Sequence, residues 1–115
     1  DEALIHCRQA VGENRCDPEG YVLLGAILQE MGRPGEAVEQ LKKALYLDQD
    51  FVLAHVQLGN IESRQGRRAQ GRRHLSNACA LLERRPPGEV VSGSEGLTAA
   101  RLLEIIRSTP AEGRE

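Results

Sequence analysis

A stretch of this chain repeats itself thirty-four residues later, and no other sequence feature restricts the fold as strongly. A period of this length is typical of stacked helical hairpins, because each hairpin buries its apolar face only against a neighbour. Such stacks present an extended surface to other chains, so we expect binding and not catalysis. The matching positions are Leu24-Gly25, Ala37, Leu41 and Ala44, which return as Leu58-Gly59, Gly71, Leu75 and Ala78.

The composition suits helices and gives no drive toward nucleic acid or lipid. Of the 115 residues, 40% are hydrophobic and only 3% aromatic, so Leu, Ala, Val and Ile must form the core. The formal net charge is −2. The three cysteines stand at spacings that match no metal motif, which favours reduced thiols. Since no signal peptide or long apolar run is present, we expect a cytoplasmic protein without membrane insertion.

Helix start and stop signals divide each copy into two helices joined by a turn. Asp17 before Pro18 has the pattern of an N-cap followed by proline at the first helical position. Gly32 stands where a left-handed C-cap is favoured, and Gly66 repeats it. Asp50 is the expected cap of the next helix. We predict helices near residues 19–31, 35–47 and 69–82, and residues 1–14 as the second helix of a truncated unit cut from a longer protein.

The repeats end after Leu82, where two arginines, two prolines and a glycine at 84–88 break the helical pattern. One more amphipathic helix follows, with Thr98 as its N-cap and Leu97 placed to pack on Leu102. Because the apolar stripe of this helix must be covered, we predict that the helix packs as a cap on the exposed end of the last repeat. The expected organisation is a repeat region at 1–85 (1–17, 18–51 and 52–85), a linker at 86–97, a capping helix at 98–108 and a disordered tail at 109–115.

These residues resemble the tetratricopeptide repeat, whose pattern contains a bulky residue, Leu-Gly, another bulky residue, then Ala, an aromatic residue and Ala. The second copy departs from the pattern at His55, Glu62 and Gly71. The resemblance implies an all-α fold of antiparallel helical hairpins in a short right-handed superhelix with a C-terminal capping helix. The first copy matches the pattern at Tyr21, Leu24-Gly25, Leu28, Ala37, Leu41 and Ala44.

In this family the first helix of each hairpin lines a groove that binds protein or peptide partners. Carried onto this chain, the groove positions combine an apolar floor with polar side chains that would fix a partner helix or strand. The alternative is a groove filled by the protein's own parts. The groove residues are Glu19, Val22, Ala26, Gln29, Glu30, Leu53, Val56, Asn60, Ser63 and Arg64.

Charge is divided unevenly between the two copies. Residues 17–50 contain seven acidic and three basic residues, whereas residues 64–85 contain seven arginines against a single acid. Three interpretations stay open for this basic face: an ordinary solvated helix surface, a contact for an acidic protein, or a contact for a phosphate backbone. Without interleaved aromatic residues, nucleic acid is not the expected partner. The possible partner face consists of Arg67, Arg68, Arg72 and Arg73.

Residues 95–107 resemble the closing segment of bacterial CheR-type chemoreceptor methyltransferases that carry tetratricopeptide repeats after their catalytic domain. The resemblance rests on Gly96-Leu97-Thr98 and the helix that follows. It implies a regulatory or target-selecting module in a chemosensory pathway, with a chemoreceptor or the parent's own catalytic domain as its partner. S-adenosylmethionine would be the cofactor of that absent domain only. The alternative is a free-standing adaptor or scaffold with an unrelated partner.

No residue of this segment is a strong catalytic candidate. The three histidines have no nucleophile at a recognisable spacing, and no phosphate loop or metal cluster is present. His55 stands on the aromatic packing position, so we expect it to be structural. Cys7 and Cys79 occupy apolar helix positions and are expected to be packing residues, whereas Cys16 lies in a turn. We therefore expect no catalytic, cofactor-binding or metal-binding residue in this segment.

Overall fold

A computed structural model of the protein describes residues 1–108. Within that range the chain forms six α-helices and no β-strand. The all-α stack of helical hairpins predicted from the repeat is therefore confirmed, whereas the predicted tail lies outside the described residues. The helices are α1 (Glu2–Glu13), α2 (Pro18–Glu30), α3 (Pro34–Leu47), α4 (Val52–Arg64), α5 (Arg68–Glu83) and α6 (Ala99–Ser108).

The helices pack in the order in which they follow along the chain. The pairs α2–α3 and α4–α5 form the two hairpins, α1 packs on α2, and α3 joins the hairpins through α4. In addition, α2 touches α4 directly, and α6 packs on α5. Because sequence neighbours are also spatial neighbours, the architecture is that of a repeat stack.

Glycine ends the first helix of each hairpin, as the sequence predicted. Gly32 and Gly66 have φ values of 75° and 87°, in the left-handed region that glycine adopts without steric cost. The backbone N–H of Gly32 donates to Gln29 and that of Arg33 donates to Leu28, which is the Schellman arrangement. The second hairpin repeats both hydrogen bonds at the corresponding positions. The turns of the two hairpins therefore have the same geometry.

The starts of the two hairpins differ. The Asp17 carboxylate accepts from the Glu19 backbone N–H at 3.0 Å, so the predicted cap of α2 is confirmed. The prediction that Asp50 caps α4 is wrong, because the N-cap is Phe51 and no side chain bonds there. Asp50 instead donates its backbone N–H to the Asp48 carboxylate at 3.0 Å. The Phe51 side chain is buried in the core, so packing and not capping fixes this helix start.

In the second hairpin, α4 and α5 cross so closely that a β-carbon would not fit at Gly59 or Gly71. A β-carbon on Gly59 would lie 2.6 Å from Leu75 Cγ. One on Gly71 would lie 2.8 Å from the Gly59 carbonyl oxygen and 3.0 Å from the Ser63 backbone nitrogen. In the first hairpin the corresponding position holds Ala37, whose side chain is fully buried. The departure of Gly71 from the repeat pattern is thus an adaptation to a closer contact between α4 and α5.

Residues 86–97 form a packed loop. Val91 is buried, and its backbone N–H donates to the Leu97 carbonyl at 2.8 Å. The Ser94 hydroxyl closes the loop, because it donates to the Val91 carbonyl at 2.6 Å and accepts from the Leu97 N–H at 3.0 Å. The segment that the sequence identifies as a break is therefore held in place by its own hydrogen bonds.

The last helix docks on the repeats through its apolar side. Thr98 Oγ1 accepts from the Arg101 backbone N–H at 3.2 Å, which confirms Thr98 as the N-cap. Its outer face is polar, with an ion pair at 3.0 Å between Arg101 and Glu104. The buried residues of this contact form a second core cluster that joins α4, α5, the loop and α6: Val52, Ala78, Leu81, Leu82, Val91, Ala99 and Leu102.

Candidate binding surfaces

The same hydrogen bond holds the start of both hairpins. The Tyr21 hydroxyl donates to the Arg15 carbonyl at 3.1 Å. Thirty-four residues later, His55 Nε2 lies 2.8 Å from the Gln49 carbonyl, so this nitrogen carries the proton and donates. Each bond ties a connecting loop to the helix that follows it. His55 therefore has the structural role that its repeat position predicted.

The C-terminal segment lies over one end of the predicted groove. Val22 is buried in the core at 3% exposure. Leu53 and Val56 pack against the cluster formed by the loop and α6. A β-carbon on Gly93 would lie 3.4 Å from Leu53 Cδ1 and 3.5 Å from Glu19 Cγ. The chain's own loop thus occupies the place where the apolar floor of the second hairpin was predicted.

The other end of the groove is open. Gln29 Nε2 donates to Gln57 Oε1 at 3.1 Å, and this bond links α2 to α4. The half-buried Asn60 amide and the exposed Arg64 guanidinium make no hydrogen bond or ion pair within residues 1–108. Glu30 is exposed here, and Ala26 and Ser63 are half-buried. A cleft of about 210 Å³ lies at this end, lined by Gln29, Gly32, Pro34, Ile61, Arg64 and Gln65.

The predicted arginine face is exposed at all four positions. Arg67 is partly engaged, because it donates to the Gln65 side chain and its Nε lies 4.0 Å from Glu62 Oε1. Arg68, Arg72 and Arg73 make no side-chain hydrogen bond or ion pair within the described range. Three of the four arginines of this face therefore present positive charge that no carboxylate within residues 1–108 pairs with.

Buried and half-buried polar groups lie between α4 and α5 of the second hairpin, where the repeat pattern marks His55 and Glu62 as departures. His55 Nδ1 lies 3.3 Å from Nδ1 of His74, and when His55 is neutral with its proton on Nε2, its Nδ1 is the acceptor of this contact. Burial, followed by the charge of His55, lowers the pKa of His74, and the opposing influence of Glu62 is smaller. The Glu62 side chain is buried, and its Oε1 has no hydrogen-bond partner in the described structure.

A larger cleft lies outside the groove, between the α1–α2 loop and α3. The repeat pattern did not select it, because it assigns the second helices to packing. The available signal was Tyr46, which falls outside the apolar spacing of α3 and is 89% exposed. The cleft measures about 370 Å³ and is lined by Arg15, Tyr21, Lys42, Lys43, Tyr46 and Leu47.

The three thiols are free and differ in exposure. Cys7 is buried, with its Sγ 3.8 Å from the Gly20 carbonyl, and burial raises the pKa of its thiol. Burial also raises the pKa of the half-buried Cys79, whereas Cys16 is exposed. In the part of the chain that the structure describes, no three His, Cys, Asp or Glu side chains converge on a common point where a metal ion could be held. Residues 1–108 contain no helix that is long and apolar enough to span a membrane.

The sequence of the first hairpin matches a known repeat family. Residues 18–51 match the tetratricopeptide repeat. The matched interval contains α2, α3 and the connection to α4, and the second hairpin repeats its turns and its loop hydrogen bond. No curated protein matches the chain. The repeat and the stacked hairpins together support a module for protein–protein interaction.

Proposed function

We propose that this chain is a non-catalytic protein-recognition module that binds its partner at the open end of the groove. The observation that carries the proposal is the pair of unpaired polar groups at this end, the Asn60 amide and the Arg64 guanidinium. Arg64 lines a cleft, Asn60 lies one turn before it on α4, and the Gln29–Gln57 hydrogen bond links α2 to α4. A partner segment that supplies a carbonyl and a carboxylate would satisfy both groups.

We further propose that the partner is a chemoreceptor or the catalytic domain of a CheR-type methyltransferase to which this module belongs. The support is the resemblance of residues 95–107 to the closing segment of those enzymes, together with the docked α6 that this segment forms. The module would then act in the cytoplasm, where it regulates or selects the receptor glutamates that are methylated. S-adenosylmethionine would bind to the catalytic domain of the parent and not to these residues.

The binding site is tested by two matched double variants. Asn60→Ala with Arg64→Glu removes the polar groups at the open end, whereas Asn77→Ala with Arg73→Glu makes the same chemical changes on the exposed face of α5. Binding to a purified chemoreceptor cytoplasmic domain and to the catalytic domain is measured by calorimetry. We expect the first variant to weaken binding about tenfold or more and the second to leave it unchanged. The reverse result would place the site on the arginine face and refute the groove.

The methyltransferase context is tested by methyl transfer from S-adenosylmethionine to chemoreceptor cytoplasmic domains. The full-length parent is compared with the same protein lacking residues 1–115. A change in the rate, or in the glutamates modified, is the expected result. If neither protein transfers methyl groups, the methyltransferase context is wrong, and an adaptor with an unrelated partner takes its place.

A further inference from the structure

We propose that the cleft between the α1–α2 loop and α3 binds an acidic peptide segment that carries an apolar side chain. This site lies outside the groove, and it does not depend on the function proposed above. Its walls come from two directions, because Arg15 and Tyr21 belong to the start of the first hairpin and the other lining residues to the last two turns of α3.

The shape of the cleft suits a large side chain. Its volume of about 370 Å³ falls at the lower end of the range of small-ligand pockets. The Tyr21 hydroxyl donates to the Arg15 carbonyl, so one wall is fixed. On the opposite wall, Tyr46 is 89% exposed and Leu47 is 38% exposed. An apolar side chain placed between these walls would remove exposed apolar surface from water.

The charge around the cleft identifies the rest of the ligand. Arg15, Lys42 and Lys43 are exposed, and none has a carboxylate within 4.0 Å among residues 1–108. Glu39 lies one turn before both lysines on α3, yet it pairs with neither. Lys42 and Lys43 are also two of only three basic residues in the stretch 17–50, which contains seven acids. Acidic side chains of a partner would supply the missing counter-charges.

The second hairpin shows that the repeat fold does not require this chemistry. At the corresponding positions it has no cation and no exposed aromatic ring. Its equivalent of Leu47 is Leu81, which is buried in the cluster with α6. The six positions that correspond to the cleft are Gln49, His55, Ser76, Asn77, Ala80 and Leu81.

A peptide fits this cleft better than a nucleic acid does. Binding of single strands relies on successive aromatic rings for base stacking, and here Tyr46 is exposed whereas Tyr21 is buried. The seven acidic residues of the same hairpin stretch would repel a long polyanion such as an extended phosphate backbone more than a short peptide with a few carboxylates at the cationic rim. The short cationic rim instead matches a few carboxylates around one anchoring side chain.

The first experiment maps binding by NMR on the ¹⁵N-labelled chain. The probes are nonapeptides with a central Leu, Phe, Tyr or Trp flanked on each side by one Asp and one Glu, with Ser and Gly at the remaining positions, and the same peptides with Asn and Gln in place of the acids. We expect the acidic peptides to shift the amides of Arg15, Lys42, Lys43, Tyr46 and Leu47, and the neutral ones to do so much less. The proposal is overturned if no acidic peptide shifts these amides at about 1 mM. It is also overturned if oligothymidylate shifts them at a lower concentration than the peptides do.

The second experiment separates the local site from overall charge. Lys42→Glu with Lys43→Glu is compared with Arg72→Glu with Arg73→Glu, which changes the net charge equally on the second hairpin. We expect the lysine variant to weaken peptide binding about tenfold or more and the arginine variant to have little effect. Tyr46→Ala should weaken binding without changing its salt dependence. Equal losses in the two charge variants would refute the cleft as the site.

Discussion

Replacing Gly71 by alanine should destabilise the protein, although both helix propensity and the repeat pattern favour alanine at this position. The first hairpin has Ala37 there, and its side chain is buried without conflict. In the second hairpin the new β-carbon would lie 2.8 Å from the Gly59 carbonyl oxygen and 3.0 Å from the Ser63 nitrogen. The Ser63 hydroxyl also contacts the new β-carbon and can rotate away, but the other two neighbours are backbone atoms, so α4 must move away from α5.

The size of the effect follows from two opposing terms. Alanine gains about 1 kcal/mol over glycine in a helix interior. Overpacking of a close contact costs about 1–3 kcal/mol, and the upper value applies here because the neighbours are backbone. The net result is a loss of about 2 kcal/mol in the free energy of unfolding. For a chain of this size that loss lowers Tm by roughly 8 °C.

Thermal and urea unfolding, followed by circular dichroism, measure this difference. Gly35→Ala is the matched control, because a β-carbon on Gly35 would meet nothing within 4 Å. It should stabilise α3 by about 0.5–1 kcal/mol. Adding Ser63→Ala removes the hydroxyl that also contacts the new β-carbon, and it should restore only part of the loss, since the backbone contacts remain. If Gly71→Ala raises Tm as Gly35→Ala does, the close approach of α4 and α5 does not constrain this position.

Two further predictions concern the buried polar groups. Glu62→Leu should raise the free energy of unfolding by about 1–2 kcal/mol, because it removes a buried oxygen that has no hydrogen-bond partner and only a 4.0 Å ion pair with the exposed Arg67. Leu28 is fully buried at the same repeat position, so the core accepts leucine there. Lower stability in urea would contradict this. Burial and His55 lower the pKa of His74, so the folded state disfavours its protonated form and stability should fall as the pH drops below about 6.5. His74→Gln, which copies Gln40 of the first hairpin, should reduce that slope, and an unchanged slope would refute the assignment to His74.

Local backbone signals predicted the hairpins well, because they act within a few residues. Gly32 and Gly66 end their helices through the conformation of a single residue, and Asp17 caps through its own side chain. Asp50 has the same local chemistry as Asp17, yet burial of Phe51 sets the start of α4. Local rules therefore fail where a long-range contact competes with them.

The binding surfaces were harder to predict, because they depend on which parts of the chain cover one another. The repeat register selects Leu53 as a groove position, but it contains no information on the loop that packs over that residue. The burial of Val91 is a similar case, since the surrounding prolines and glycines indicate only a break. Tyr46 lies on a helix that the pattern assigns to packing, so its exposure became evident only in the folded arrangement.

The docked position of α6 determines at which end of the stack a further hairpin could be added. Its apolar side covers α5, and Arg101 and Glu104 present a polar outer face. On the first two helices, Ile5 of α1 and Leu23 of α2 are 62% and 55% exposed. An engineered hairpin grafted ahead of α1 would displace nothing in the described structure, whereas one grafted after α5 would compete with α6 for the same apolar surface.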